Sequence, residues 1–404
     1  MFTKLRDNII VYDAKGFDPD LSDICLPSES SDGIIYAVFP GFCDVHVHFR
    51  EPGFSYKETI LSGSMAAAAG GYTDVCTMPN TSPVCDSTEH LRLQREIIER
   101  DAVIGVHPYA AITLEEKGEV LTDMEGLSRD CVAFSDDGKG VQDKDVMREA
   151  FLRAKRTGKI IASHCEVDSL LNGGYIHDGA WCASHGHRGI SSESEYAMIE
   201  RDVDLCAETA SEYHVCHIST KESVKIIREA KARGVHVSCE SAPHYLLLDE
   251  NYLEDDGRFK MNPPLRSSTD RLELLRGIQD GTIDMIATDH APHSAEEKSK
   301  GLEGSSFGIT GLECAFPLLY TYLVEKGVIT LDKLIKLLCV NPRKRFGLPL
   351  NEGFTVFELG GRHIIDPRRF LSKGHSTPFE GRLVHARCVF TSYRGKTVYE
   401  RQFD

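Results

Sequence analysis

From about residue 40 onward, short apolar runs alternate with stretches whose apolar positions recur every three or four residues. Short runs rich in Val, Ile, Tyr and Phe read as buried strands, and the longer spacing reads as amphipathic helix. The runs predict strands over 42–48, 72–78, 103–110, 132–135, 159–164, 213–217, 235–240 and 284–288. Helical patterns fall between most of them, for example over 59–69, 144–156, 220–233 and 269–279, and Gly70-Gly71 and Gly234 stand where such helices stop. Eight strands alternating with helices predict a parallel (β/α)8 barrel of the TIM type. A doubly wound open sheet is the alternative, and the lack of a Gly-x-Gly-x-x-Gly turn after the first run disfavours it. The two ends are patterned differently. Residues 1–39 hold short β-like pieces and a polar loop at 27–32, and residues 350–404 hold alternating runs near 383–391 and 397–399. These predict a small β-domain built from 1–39 and 350–404 beside a catalytic barrel over 40–349.

Composition narrows the classes. The chain has 404 residues, 41% hydrophobic and 27% charged, which suits a globular protein with a large core. A net charge of −16 argues against a broad nucleic-acid face or an anionic membrane as partner. It leaves room for an anionic substrate, because a few cations or a metal reverse the field inside a pocket. The start, Met1 to Asp7, lacks the apolar core of a secretion signal, and no run approaches the roughly 18 apolar residues of a membrane span. Thirteen cysteines without a Cys-x-x-Cys pair read as reduced thiols. A cytoplasmic protein is expected.

Candidate chemistry then appears at the strand ends. His46 and His48 close the first run, and side chains two apart on a strand point to one side. That places two imidazoles together, as a metal site needs, and Arg50 continues the phase as a candidate for holding an anion by paired hydrogen bonds. Asp136-Asp137, His164 with Glu166, His217, and Asp289 with His290 and His293 follow later runs. One histidine after a strand reads as a hydrogen-bonded structural residue. Four histidines and two aspartates at five strand ends predict a metal centre, because the working residues of such barrels gather at that end.

The segments Asp44 to Gly53, Lys57-Glu58-Thr59, Met78-Pro79-Asn80-Thr81, Asp136-Asp137-Gly138, His217 to Lys221, Asn262 to Arg266 and Thr288 to His293 together resemble the dihydroorotases of the amidohydrolase superfamily. The likeness is to the shorter bacterial type, also found fused in multifunctional pyrimidine enzymes, and runs from about Pro40 to Thr391. It implies a metal-dependent cyclic amide hydrolase that reversibly closes N-carbamoyl-L-aspartate to (S)-dihydroorotate and water in pyrimidine biosynthesis. It implies that His46, His48 and Asp289 hold one metal and His164 and His217 a second, with Asp137 bridging and Asp136 pointing away. Zinc is the expected ion, one or two per chain and two by preference. Activated water would attack the ring amide, with Asp289 carrying the proton to and from the ring nitrogen. Arg50, Asn80 and His293 match residues that grip the substrate carboxylate, and Asn262 and the backbone around Gly308 match those that meet the ring edge. A homodimer is expected, with association with an aspartate transcarbamoylase as a further partner.

A related cyclic amidohydrolase, such as a dihydropyrimidinase or allantoinase, is the alternative. These usually lack the arginine after His-x-His and often use a carbamylated lysine, so Arg50 and Asp137 favour the first reading. Lys139 is the nearby lysine, in a Gly-Lys-Gly loop that suits a solvated cation. A silent partner of the transcarbamoylase would be marked by a missing ligand, and every ligand position is filled. His185-Gly186-His187 reads as an exposed loop, His214 and His236 as core histidines, and His290 as a structural hydrogen bond. Glu115-Glu116-Lys117 and Glu296-Glu297-Lys298 read as solvated charge clusters. Two departures from the family pattern stand out. The segment before the first barrel strand is short, so its part of the β-domain is expected to be trimmed or irregular. Ser306 replaces a common proline, which is expected to loosen its loop.

Overall fold

The computed structural model describes residues 2–6, 8–15, 17–21, 24 and 33–401; the loop expected at 27–32 lies outside them. Parallel segments pair in sequence around a closed ring. Phe42–Val47, Tyr72–Thr77 and Gly105–Pro108 form one arc, and Ile161–Ser163, Tyr213–Val215, Val237–Ser241 and Met285–Ile286 form the other. The fourth segment joins the arcs through Phe134, which bridges to Ala110 on one side and Ile161 on the other. Closure comes from Val47 against His290, with the His48 N–H donating to the His290 carbonyl at 2.9 Å. A ring closed on itself is a barrel, not an open doubly wound sheet.

The regular segments are shorter than the apolar runs. Residues 103–110 contribute Gly105–Pro108, and 159–164 contribute Ile161–Ser163. Residues 132–135 make ladder hydrogen bonds, Val132 N–H to Pro108 and Ser135 N–H to Ala110, without forming a longer strand. There the Asp136 carboxylate turns the chain by accepting the Ile112 and Thr113 N–H groups at 2.7 and 3.1 Å. Helix starts are capped by side chains. Thr59, Thr220 and Ser267 cap Ile60–Ala69, Lys221–Ala232 and Ser268–Asp280 through their side-chain oxygens.

The two ends of the chain share one six-stranded sheet. Its order is Phe2–Arg6, Ile9–Tyr12, Ile35–Pro40, Gly353–Ile364, Leu383–Tyr393 and Lys396–Glu400. The early segment supplies three of these strands, with a register irregularity between Lys4 and Arg6. Phe39, Phe42, Phe316 and Phe357 join sheet to barrel, with the Phe316 and Phe357 rings 4.2 Å apart. Gly71, at φ +87°, lies beneath that cluster, where a Cβ would come within 2.6 Å of the Phe357 ring. The twelve described cysteines are free and buried. Among the described residues no helix is long and apolar enough to cross a membrane.

Candidate metal centre

The strand ends converge as the period-two pattern requires. His46 Nε2 lies 3.3 Å from Asp137 Oδ1 and 3.6 Å from Asp289 Oδ1. His48 Nε2 lies 3.2 Å from Asp289 Oδ1 and 3.5 Å from Asp137 Oδ2. On the other side, His164 Nδ1 and His217 Nε2 are 3.0 Å apart, and His217 Nε2 is 3.7 Å from Asp137 Oδ1. Asp137 therefore belongs to two groups of potential ligands, one with His46 and His48, the other with His164 and His217. All are buried. His217 and Asp289 take left-handed φ values of +32° and +49°, which cost non-glycine residues about 1–3 kcal/mol and tend to persist where a site requires them.

Three observations suit a cation at this centre. His46 Nε2 and Asp137 Oδ1 are buried and find no hydrogen-bond partner. Ligand atoms around one tetrahedral ion are roughly 3.3 Å apart, given metal–nitrogen bonds of roughly 2.0–2.1 Å, which matches the separations here. Burial pushes the Asp137 and Asp289 carboxyls up, but neighbouring imidazoles outweigh it and hold both below the ordinary carboxylate range. A buried set of anionic carboxylates and imidazoles is a ligand set for a divalent ion.

The imidazoles are oriented from behind. His46 Nδ1 donates to Glu240 Oε1 at 2.8 Å, His48 Nδ1 donates to Asn80 Oδ1 at 3.0 Å, and both Nε2 atoms are left facing the centre. Such outer hydrogen bonds fix tautomer and ring plane. Glu240 also accepts from His214 Nε2 at 3.0 Å, and His214 is buried as expected. The Asn80 amide donates to the Asp137 carbonyl and Oδ2 at 3.3 and 3.4 Å. His164 Nε2 faces Glu166, 3.6 Å away, and Asn262 Nδ2 donates to both Glu166 oxygens at 3.1 Å. His290 is bonded to Glu58, which in turn accepts from Ser372 Oγ at 2.5 Å. Asp136 is turned away, and Lys139 is exposed on its loop.

A cationic corner adjoins the cluster. Arg50 Nη2 is 3.2 Å from His293 Nε2, and Lys57 Nζ is 3.3 Å from His293 Nδ1 and 2.8 Å from Glu297 Oε1. Burial and the nearby Arg50 and Lys57 charges push His293 down to about 3, so it is neutral. Burial lowers Arg50 to about 10, leaving it charged at neutral pH. Gly308, at φ +127°, donates its N–H to the Lys260 carbonyl at 3.0 Å.

Four expectations require correction. His236 is exposed and paired with Glu212, because it precedes the paired part of its strand at the far rim of the barrel. Glu116 is buried where the chain turns at φ +52°, and burial pushes its carboxyl up. Lys298 is buried beneath a loop, where carbonyls replace water around its ammonium. Ser306 does not leave that loop loose: its N–H donates to the Glu297 carbonyl at 3.0 Å, a bond proline cannot make, and its carbonyl accepts from Lys298. The orienting roles of Glu240 and Glu166 were not anticipated. The available signal was an acidic residue at or just beyond the end of an inward-facing strand.

Residues 36–223 match the family model described as dihydro-orotase-like. The dihydroorotase of Fusobacterium nucleatum is 50% identical over 370 residues, covering 90% of this chain and 87% of that protein. A Bacillus cereus dihydroorotase is 48% identical over 374 residues, with the same coverage. Among solved structures, the L-hydantoinase (dihydropyrimidinase) of Arthrobacter aurescens superposes with a TM-score of 0.80 at 24% identity, over 98% of this chain and 91% of that one. The dihydropyrimidinase of Brevibacillus agri NCHU1002 gives 0.78 at 21%, over 90% and 85%. At those identities the structural likeness is one of fold, whereas half-identity across nine-tenths of the sequence is one of family: the chain is a cyclic amide hydrolase that belongs to the dihydroorotase family.

Proposed function

We propose that the chain interconverts N-carbamoyl-L-aspartate and (S)-dihydroorotate at the Asp137 cluster. The observation that carries this reading is the sharing of Asp137 between two ligand groups. His46, His48 and Asp289 would hold one ion, His164 and His217 a second, with Asp137 common to both. Zinc suits imidazole and carboxylate ligands, and two per chain are expected. When bound, such ions supply Lewis acidity and water that ionises near neutral pH. Asp289, held anionic, takes a proton from the attacking water and delivers it to the ring nitrogen as the ring C–N bond breaks; ring closure reverses each transfer. Arg50, His293 and Asn80 would take the substrate carboxylate, and Asn80 would also brace His48. Asn262 and the backbone around Gly308 would meet the ring edge. The barrel over 40–349, the homodimer, association with an aspartate transcarbamoylase and a cytoplasmic setting belong to the same reading and rest on the family resemblance.

The test is metal content per chain, paired with hydrolysis of dihydroorotate and of dihydrouracil, which lacks the carboxylate. Turnover of dihydroorotate alone is expected; preference for dihydrouracil would overturn the assignment. Arg50→Ala should cost roughly 2–4 kcal/mol of transition-state stabilisation by losing a charge-assisted contact. Unchanged kcat/KM would remove Arg50 from the site. Glu240→Ala should weaken metal retention against a chelator by roughly 10- to 100-fold, since His46 would lose its orienting partner. Wild-type retention would reduce Glu240 to packing.

A further inference from the structure

Lys298 ends the short helical turn Ala295–Lys298, which begins just after His293. Its side chain is buried, and its Nζ donates to three main-chain carbonyls: Lys260 at 3.0 Å, Ser306 at 2.8 Å and Gly308 at 2.7 Å. An ammonium has three N–H donors, so all are used. The three carbonyls come from two loops. Lys260 lies two residues before Asn262. Ser306 and Gly308 flank Phe307, whose carbonyl accepts from His293 Nε2 at 2.7 Å. The Gly308 N–H closes the arrangement on the Lys260 carbonyl at 3.0 Å. The loop runs close to the chain after Asp289: a Cβ on Gly308 would come within 2.6 Å of the Ala291 carbonyl oxygen. One ammonium thus stands where the segments bearing His293, Asn262 and Gly308 meet.

We propose that Lys298 is a positioning residue for the substrate, its ammonium clasping the 260–262 and 306–308 loops at the spacing that the ring edge requires. This rests on the reading of Asn262 and Gly308 given above. The charged form is the one that fits. A neutral amine has two N–H donors and would give up one of the three hydrogen bonds that tie the two loops together. Burial and the Lys260 charge push Lys298 down to about 7, while Asp256 and Glu297 act in the opposite direction. Glu297 faces it from its own turn, and Lys260 and Asp256 face it from the neighbouring loop. Lysine here, in place of an apolar residue of equal length, therefore spends three donors on three carbonyls of two loops.

A lysine serving stability alone would lower the melting temperature and leave KM unmoved in the folded fraction. The test compares steady-state dihydroorotate hydrolysis by metal-loaded wild type, Lys298→Met, Lys298→Gln and Asn262→Ala, with metal content measured on each. Lys298→Met is expected to raise KM about tenfold, with kcat within about threefold of wild type and metal content unchanged. Lys298→Gln, which retains two donors, should fall between. Asn262→Ala should also raise KM. If Asn262→Ala raises KM and Lys298→Met does not, the clasp is overturned while the ring-edge reading stands. If neither variant moves KM, the ring-edge reading falls, and the clasp with it. If both Lys298 variants fail to fold, or fold having lost metal, the residue serves the fold or the metal cluster and the proposal is overturned.

Discussion

Asp137→Ala is expected to strip metal from both halves of the cluster and to lower dihydroorotate turnover about a thousandfold or more, several kcal/mol of charge stabilisation. The size of the effect follows from position. Asp137 lies within 3.3–3.7 Å of ring nitrogens on His46, His48 and His217, which come from strand ends distributed around the barrel. Removing any one histidine leaves the other group of ligands whole; removing Asp137 breaks both. The neighbouring Asp136 provides the control. Its carboxylate accepts the Ile112 and Thr113 N–H groups, so Asp136→Ala should lower stability while metal content per folded chain stays at the wild-type level. Metal analysis and activity on the two purified variants check the pair. An Asp137→Ala protein that retained two ions and its rate would end the bridging assignment, and loss of metal in Asp136→Ala would place the wrong aspartate at the centre.

The parts of this site that were legible in the sequence are those governed by local geometry. His46 and His48 share a strand face by period two, and the order of apolar runs and helices fixes which ends lie at one mouth. Glu240 was less legible because its meaning depends on His46, 194 positions away. Nothing local distinguishes a strand-end glutamate that orients a ligand from one that faces water. Lys298 shows the same limit more sharply. In Glu296-Glu297-Lys298 the sequence presents a charge cluster, yet Glu296 is exposed, Glu297 is half-buried and Lys298 is buried, because a later loop folds over the last of them. His236 erred in the other direction. Its apolar surroundings suggest a core, but the run begins before the pairing does. The fourth strand was found by its apolar run even though its ladder is interrupted, because burial, which the run reports, persists where regular pairing stops.

Asp289→Asn should lower turnover by roughly 100- to 10,000-fold in both directions, the range for loss of a positioned acid–base group. Asparagine keeps the shape and can still face the cluster, so metal content separates a lost proton carrier from a lost ligand: retained metal with lost rate is the expected result. The pH dependence is a stricter check. Ring opening of the dihydroorotate anion yields a product with two carboxylates and releases a proton, so closure consumes one. The ratio of kcat/KM for closure to that for opening must therefore rise about tenfold for each unit that pH falls. A single carrier used in opposite protonation states accounts for this without a second group. In the proposed mechanism opening needs Asp289 ionised and closure needs it protonated, so opening should rise and closure fall through the same pH. The low pKa of Asp289, held down by His48 and His46 against the cost of burial, places that point below neutrality. Two profiles whose limbs lie at different pH values, or limbs that survive in Asp289→Asn, would assign the proton transfer to another residue.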